Sequence, residues 1–442
     1  MKKLLTLATM YMCSLLSFAQ FSGSGSGTEN DPYLIFNEAQ LAQVSNFLNQ
    51  EVVFKLMKDL DLTNWIEENN PRQGWVPIGV ESEPFSGIFH GNNHKITGLM
   101  IQRTSTDNVG FFGYVSGATI ENLTIEGGSV LGASNVGGFI GYAKGSEIIN
   151  CNLSLSSGVE GTSNVGGFMG QSLSSDFSSF NVETSVTAQD YLGGFIGLAE
   201  GGSFQQGRVK GQRTCTGDYA GGFAGKMTSV LLADIQQSGD IVAQDYTGGF
   251  VGCCSSGTFE RCTVESNVQG EQYVSGFAGA LESTTSSFNT CFHKGTITAT
   301  GDYAGGIVGV SKGRCIDEIE SCNHFGDMQG INYVGGLIGA VLNLSKEPTL
   351  YKYYWKTDKY YYVATDIMKS GNQQYVRINN CYSIGNIIGY SYIGGLIGYE
   401  MTVKSFSCRQ DKTSGGGYNY VYADNHYSEV TFSSTYNIFI YI

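Results

Sequence analysis

Proline is nearly missing from this chain, five residues in 442, and only 14% of residues are charged, against about 25% in an ordinary soluble domain. Glycine is plentiful at 62 residues but has no three-residue period, which excludes collagen. Beyond the first twenty residues no apolar run approaches the roughly 18 residues that a membrane-spanning helix needs. Histidine numbers five, and His90 and His94 flank a Gly-Asn turn instead of sharing a helical face as zinc ligands do. No cysteine pair has zinc spacing, and neither a nucleophile elbow nor a phosphate-binding loop occurs. The charge of −14 becomes −16 if Lys2 and Lys3 leave with a leader, and no basic stripe interrupts it. That balance argues against nucleic acid as a partner.

What the chain has is a phrase that returns ten times. From Tyr191 it reads aromatic, small or β-branched apolar, Gly, Gly, large apolar, variable, Gly. Copies begin at Asn135, Asn164, Tyr191, Tyr219, Tyr246, Tyr273, Tyr303, Tyr333 and Tyr392, with a degenerate one at Asn108. Their spacings are 27, 29, 27, 28, 27, 27, 30, 30 and 59. A fixed period in this range means units that cannot bury an apolar face alone and must stack. A glycine pair in every unit would destroy helical repeats, and propeller blades need about 40–45 residues. Three short apolar segments per unit predict an all-β, right-handed parallel β-helix. About 11–12 coils would make a rod on the order of 55 Å long.

The expected organisation is a signal peptide over 1–19, a capping module over 20–100 and repeats over 101–340. An insertion follows over 341–378, with last repeats and a terminal rung over 379–442. Lys2, Lys3 and the apolar stretch Leu4 to Leu16 precede Ser17-Phe18-Ala19, a small-x-small cleavage site, so secretion or display on the outer surface is expected. One helix is predicted near Asn37, with Leu41, Val44 and Leu48 on one face, placed to cover the open end of the sheets. Residues 85–96 read as strand, Gly-Asn turn, strand. The terminal strand, Tyr436 to Ile442, carries no polar cap and offers a route to end-to-end self-association.

In register, the repeats place Cys151, Cys262, Cys291, Cys322 and Cys381 in one column, read as buried free thiols. Asp190, Asp218, Asp245 and Asp302 share the slot before the aromatic residue. Carboxylates about 5 Å apart would suit calcium, whereas aspartate in a turn also bonds its own backbone. The tyrosines form another column, able to dock sugars or simply to stack. Periodicity does not decide whether Tyr or the following Phe points inward.

The 59-residue spacing marks an insertion of about 30 residues. Tyr351, Tyr353, Tyr354, Trp355, Tyr360, Tyr361 and Tyr362 put seven aromatics into twelve positions. Residues 340–378 carry six basic and three acidic side chains, on a chain that is otherwise acidic. Two aromatic strands around Lys356-Thr357-Asp358-Lys359 predict a hairpin, and these seven residues are the candidate ligand-binding group.

The phrase Val-Gly-Gly-Phe-Ile-Gly, with a downstream Ile-x-Asn-Cys and a Gly-x-Val-x-Gly spacer, resembles the GLUG-motif repeat proteins. The N-terminal Gly25-Ser26-Gly27-Thr28-Glu29-Asn30-Asp31-Pro32-Tyr33, Asp59-Leu60-Asp61-Leu62 and Trp75-Val76-Pro77-Ile78-Gly79 resemble the module that precedes such repeats. His90 and Asn93 depart from it, standing where Asp and Gly are expected. The resemblance implies a surface or secreted protein of a Gram-negative bacterium. A non-enzymatic, adhesin-like scaffold that binds glycan or a host or surface protein is the expected function. The competing expectations are a polysaccharide-active lyase or hydrolase and a purely structural rod; no cofactor is expected beyond the calcium option.

Overall fold

The computed structural model describes residues 21–312, 315–342 and 377–400. It also describes the backbone of six further strands: Tyr351–Tyr354, Tyr360–Val363, Cys408–Lys412, Tyr418–Tyr422, His426–Phe432 and Ile438–Tyr441. The leader expected over 1–19, and Trp355, lie outside the described residues.

The chain is a parallel β-solenoid. Its longest ladder pairs Tyr33, Phe54, Phe89, Ile120, Ile148, Phe177, Phe204, Leu232, Phe259, Phe288, Ile319 and Ile378 in register, twelve rungs from end to end. The glycine phrases form a separate nine-stranded parallel sheet running from Ser134–Gly137 to Ser391–Gly394. The degenerate copy joins it through a single bridge from Val109 to Val136.

Each coil turns its corners with residues in the left-handed region. Every residue that opens the phrase has positive φ, from 52° at Asn164 to 67° at Tyr303. A second set precedes the cysteine column, including Asn122, Asn150, Ser179, Arg261 and Asn380. Asparagine tolerates this conformation, while tyrosine occupies it at a cost of about 1–2 kcal/mol per residue. The ladders that the corners create offset that cost. Asn135 Nδ2 donates to Asn108 Oδ1 at 2.8 Å and Asn164 Nδ2 to Asn135 Oδ1 at 2.9 Å.

The glycine pair makes the next bend. A methyl group on Gly193 would collide with the Ile196 carbonyl, and one on Gly194 with the Arg213 guanidinium reaching across from the opposite wall. Directly after the pair, Phe139, Phe168, Phe195, Phe223, Phe250 and Phe277 point inward. They stack at centroid distances of 4.6, 4.9, 5.1, 5.0 and 4.8 Å. This is the spine of the core.

At the N-terminal end, Asn37 caps Glu38–Ala42, its Oδ1 accepting from Gln40 N at 2.9 Å, and Leu41 and Val44 are buried as expected. A second helix, Leu62–Asn69, was not anticipated. Asp61 caps it by accepting from Thr63 N at 3.0 Å, and Leu62 and Ile66 anchor it. Phe21, Tyr33, Phe47 and Phe54 pack ring against ring over the first rungs. Residues 85–96 do not fold back on themselves. Ile88–Gln102 is one strand that turns a left-handed corner at Asn92 and Asn93, pairing in parallel with coils on either side.

Past Glu400 the described strands pair antiparallel. His426–Phe432 lies between Tyr418–Tyr422 and Ile438–Tyr441. The physical reason is the loss of the phrase after Gly398. Gly415-Gly416-Gly417 follows Thr413-Ser414 and not the asparagine or aromatic residue that opens each phrase, so the left-handed opening residue that starts each corner does not recur.

Candidate functional site

The tyrosine column lies outside the solenoid core. Tyr191, Tyr219, Tyr246, Tyr273, Tyr303, Tyr333 and Tyr392 stack at 4.8, 4.5, 4.7, 5.1, 4.7 and 4.7 Å, with interplanar angles no larger than 20°. The rings cover a shallow apolar seam of Cys253, Ala280, Val310 and Ala340, which face outward from the next strand. The two columns are matched in size. Where the corner residue is asparagine, the neighbouring strand carries Tyr114, Tyr142 and Gln171; Leu198 and Lys226 follow beside Tyr191 and Tyr219, and from Tyr246 to Tyr333 the strand turns to small residues. A ring stacked on both faces can offer a sugar only its edge, so face-on docking is closed to the interior members of this column.

Lys312 crosses the seam. Its Nζ donates to Glu282 Oε1 at 2.8 Å and to Tyr246 Oη at 2.6 Å, and lies 4.3 Å from the Tyr246 ring centroid. Burial opposes its charge, but the bonds to Glu282 and Tyr246 hold the ammonium above its ordinary value. Burial likewise works against the Glu282 carboxylate, and Lys312 holds it below its ordinary value. The pair therefore serves the seam and is already neutralised.

Each aspartate holds the next coil. Asp190 Oδ1 accepts from Asp218 N at 3.0 Å, Asp218 Oδ1 from Asp245 N at 3.3 Å, and Asp245 Oδ1 from Gln272 N at 3.1 Å. Asp302 does the same for Asn332, at 3.2 Å. Burial, then the neighbouring Asp218 and Glu271, raise the Asp245 carboxyl, with the Gln272 amide and Lys312 opposing them. Among the described residues no three of His, Cys, Asp or Glu converge as metal ligands. The carboxylates proposed for calcium thus each have a backbone partner that a cation would have to displace. Millimolar calcium is expected to leave the melting temperature unchanged, and a rise of several degrees by calorimetry would restore the metal reading.

The cysteine column is as expected, with Phe180, Gly207 and Ile235 filling the rungs between Cys151 and Cys262. The Cys322 amide lies 3.3 Å from Cys381 Sγ, and the Cys291 amide 3.3 Å from Cys322 Sγ. Nine cysteines among the described residues are free and buried, and burial pushes the Cys151 and Cys254 thiols up to about 12. Such thiols are not nucleophiles at neutral pH. His90 Nδ1 faces Glu121 Oε1 at 2.8 Å and His94 Nδ1 faces Asp59 Oδ1 at 3.0 Å, so the two histidines serve different carboxylates.

The solenoid leaves its path after Leu342 and resumes at Arg377, which pairs with Glu318, so the coils on either side stay in register. Within the insertion, Tyr351–Tyr354 and Tyr360–Val363 form the predicted antiparallel hairpin, pairing Tyr353 with Tyr361 and Tyr354 with Tyr360.

The GLUG motif family matches residues 132–156, the stretch from Gly132 through the first full phrase to the cysteine column. The chain carries the GLUG motif there. Over 108 residues, 24% of its length, it is 39% identical to a protein of Evansella cellulosilytica named as a Gly-rich membrane protein. Over 129 residues, 28% of its length, it is 33% identical to halomucin of Haloquadratum walsbyi. The matched stretches span only 12% and 1% of those relatives. Among solved structures, a Bacteroides ovatus protein named as an immunoglobulin A1 protease aligns over 90% of this chain and 94% of its own. The identity is 15% and the TM-score 0.28. A second, named as an IgA1 protease, aligns over 84% of this chain and 20% of its own at 13% identity and a TM-score of 0.26. At such scores neither likeness bears on activity. No helix among the described residues is long and apolar enough to cross a membrane.

Proposed function

We propose that this chain is an extracellular, non-enzymatic binding scaffold in which a stiff solenoid carries the aromatic hairpin of the insertion to a glycan or a surface protein. The observation that supports it most is the hairpin's register. It pairs Tyr353 with Tyr361 and Tyr354 with Tyr360, which gathers the insertion's aromatic residues into one two-stranded element. The regularity of the coils before and after the insertion points the same way, because the extra residues add nothing to the winding.

The chemistry elsewhere supports a non-enzymatic role. The aspartates are committed to backbone amides, the thiols are buried, and the most buried histidines bond backbone carbonyls. Extracellular placement is supported by the leader-like N-terminus and by relatives named as a membrane protein and as halomucin. Replacing Tyr353, Trp355 and Tyr361 together by Ala is expected to abolish binding on a glycan array or to a surface-protein panel while leaving the unfolding transition in place. Binding that survives the triple substitution, or release of reducing sugar by the intact protein, would overturn the reading.

A further inference from the structure

The N-terminal module holds a cleft of about 310 Å³ between the helix Leu62–Asn69, the short helical turn around Ser45 and the segment 74–76. It is far from the insertion in sequence and belongs to none of the columns above. The cleft has a rigid apolar floor. Trp75 is buried, lies parallel to Phe111 at 5.3 Å with an interplanar angle of 5°, and donates its indole N–H to the Phe111 carbonyl at 3.1 Å. The Trp75 amide bonds the Met100 carbonyl at 2.8 Å, and Arg103 Nε donates to the Trp75 carbonyl at 3.3 Å. The wall is half-buried Trp65, and Val76, 57% exposed, stands at the rim.

The polar groups around the cleft are uncommitted. Asn69 Nδ2 donates to the Trp65 carbonyl at 2.9 Å, which fixes the amide and leaves its oxygen available. The Asn70 side-chain amide, the Ser45 hydroxyl and the Trp65 indole N–H have no hydrogen-bond partner among the described residues. No charged side chain lines the cleft, and Glu67 and Glu68 on the same helix disfavour anions nearby. An aromatic wall that accepts apolar C–H faces, amide and hydroxyl groups that accept and donate, and a volume at the lower end of small-molecule sites together describe one ligand class.

The geometry points to a binding site for one neutral sugar ring, a terminal or single pyranose, held against Trp65 and hydrogen-bonded by Asn69, Asn70 and Ser45. This site is independent of the hairpin, so the chain would hold carbohydrate at two places along its length. Because the floor is braced in advance, little ordering is required on binding.

The test uses the whole mature chain carrying Trp355→Phe, which leaves Trp65 and Trp75 as its only tryptophans. Galactose, mannose, fucose and N-acetylglucosamine are titrated to tens of millimolar, with glucuronate and N-acetylneuraminate as charged controls and indole as an apolar one. The expected result is a saturable change in tryptophan emission and a matching calorimetric isotherm for at least one neutral sugar, and none for the charged ones. Asn70→Ala, which keeps both reporters and changes no core residue, is expected to weaken binding at least tenfold. Trp65→Ala is expected to remove it, and Trp65→Tyr to restore part of it. A response to none of the neutral sugars, a response to indole alone, or sugar binding undiminished in Asn70→Ala and Trp65→Ala would overturn the proposal. A hairpin that binds nothing leaves these measurements unaffected.

Discussion

Replacing Arg213 by methionine is expected to stabilise the solenoid by about 3 kcal/mol, although it removes the largest fully buried side chain of the core. Arg213 interrupts an aliphatic column in which Val130, Val159, Val186, Ile241, Val268, Ile297, Met328 and Ile387 occupy successive rungs. Its Nη1 donates to the carbonyls of Gly211 and Ser238, the latter at 2.7 Å, but Nε and Nη2 have no partner. Among the described residues no carboxylate forms an ion pair with it, and each buried nitrogen left unpaired costs about 1–3 kcal/mol. Methionine has similar reach and no hydrogen-bonding demand, and Met328 already fills this column elsewhere.

The pH dependence gives the same prediction a second readout. Burial holds the Arg213 guanidinium down to about 9, far below its ordinary value, so the unfolded chain binds this proton more tightly than the folded one. The penalty is complete below pH 9 and shrinks as pH rises above it. The stability gap between Arg213→Met and the parent, measured by urea midpoints, is therefore expected to be constant from pH 7 to 8.5 and to narrow beyond. A variant less stable than the parent at pH 7 would mean that the guanidinium holds a buried partner worth more than its own desolvation.

Arg213 also shows where reading the sequence stops. The repeat period, the three strands per coil and the cysteine column were legible, because each is carried by residues at constant offset from a glycine pair. Arg213 stands at the same offset from its phrase as Val186 and Ile241 do from theirs, 22 residues, so finding it required laying out the third strand of each coil and not the phrase and the cysteine slot alone. The direction of Tyr and Phe was illegible for a different reason. Strand alternation predicts side-chain direction only while the backbone stays extended, and a residue with φ near 53°, as at Tyr191, breaks the alternation just before the glycine pair. The second helix carried a usable signal, since Asp61 two residues before Thr63, followed by Leu62 and Ile66, is a capped amphipathic turn. The cleft between that helix and Trp75 could not be seen at all, because it depends on how two short helices meet.

Acid is expected to weaken this protein from inside, through His293 and His324. The two rings are fully buried and stacked at 5.0 Å, with their Nδ1 atoms 2.8 Å apart, so the pair can share one proton between those nitrogens and no more. The outer nitrogens face the Ser266 carbonyl at 3.1 Å and the Gly326 carbonyl at 3.0 Å. Both rings exist only because Gly276 and Gly306 leave space opposite them, in a column where Val182, Val209 and Val264 occupy other rungs. Burial lowers His293 well below its ordinary value, helped by His324. Burial also lowers His324 to about 4, with the Gly326 carbonyl and Asp327 pulling the other way. Both folded-state values lie below those of the unfolded chain, so their contribution to stability is complete above pH 6.5 and is lost as pH falls toward the folded values. For His324 alone the loss by pH 4 is on the order of 3 kcal/mol. The double substitution His293→Val and His324→Val is expected to flatten the denaturation midpoint between pH 6.5 and pH 4.5, while the parent declines across that window. A parallel decline in both would place the acid sensitivity in surface carboxylates such as Asp234, which Arg261 holds below its ordinary value, and not in the core.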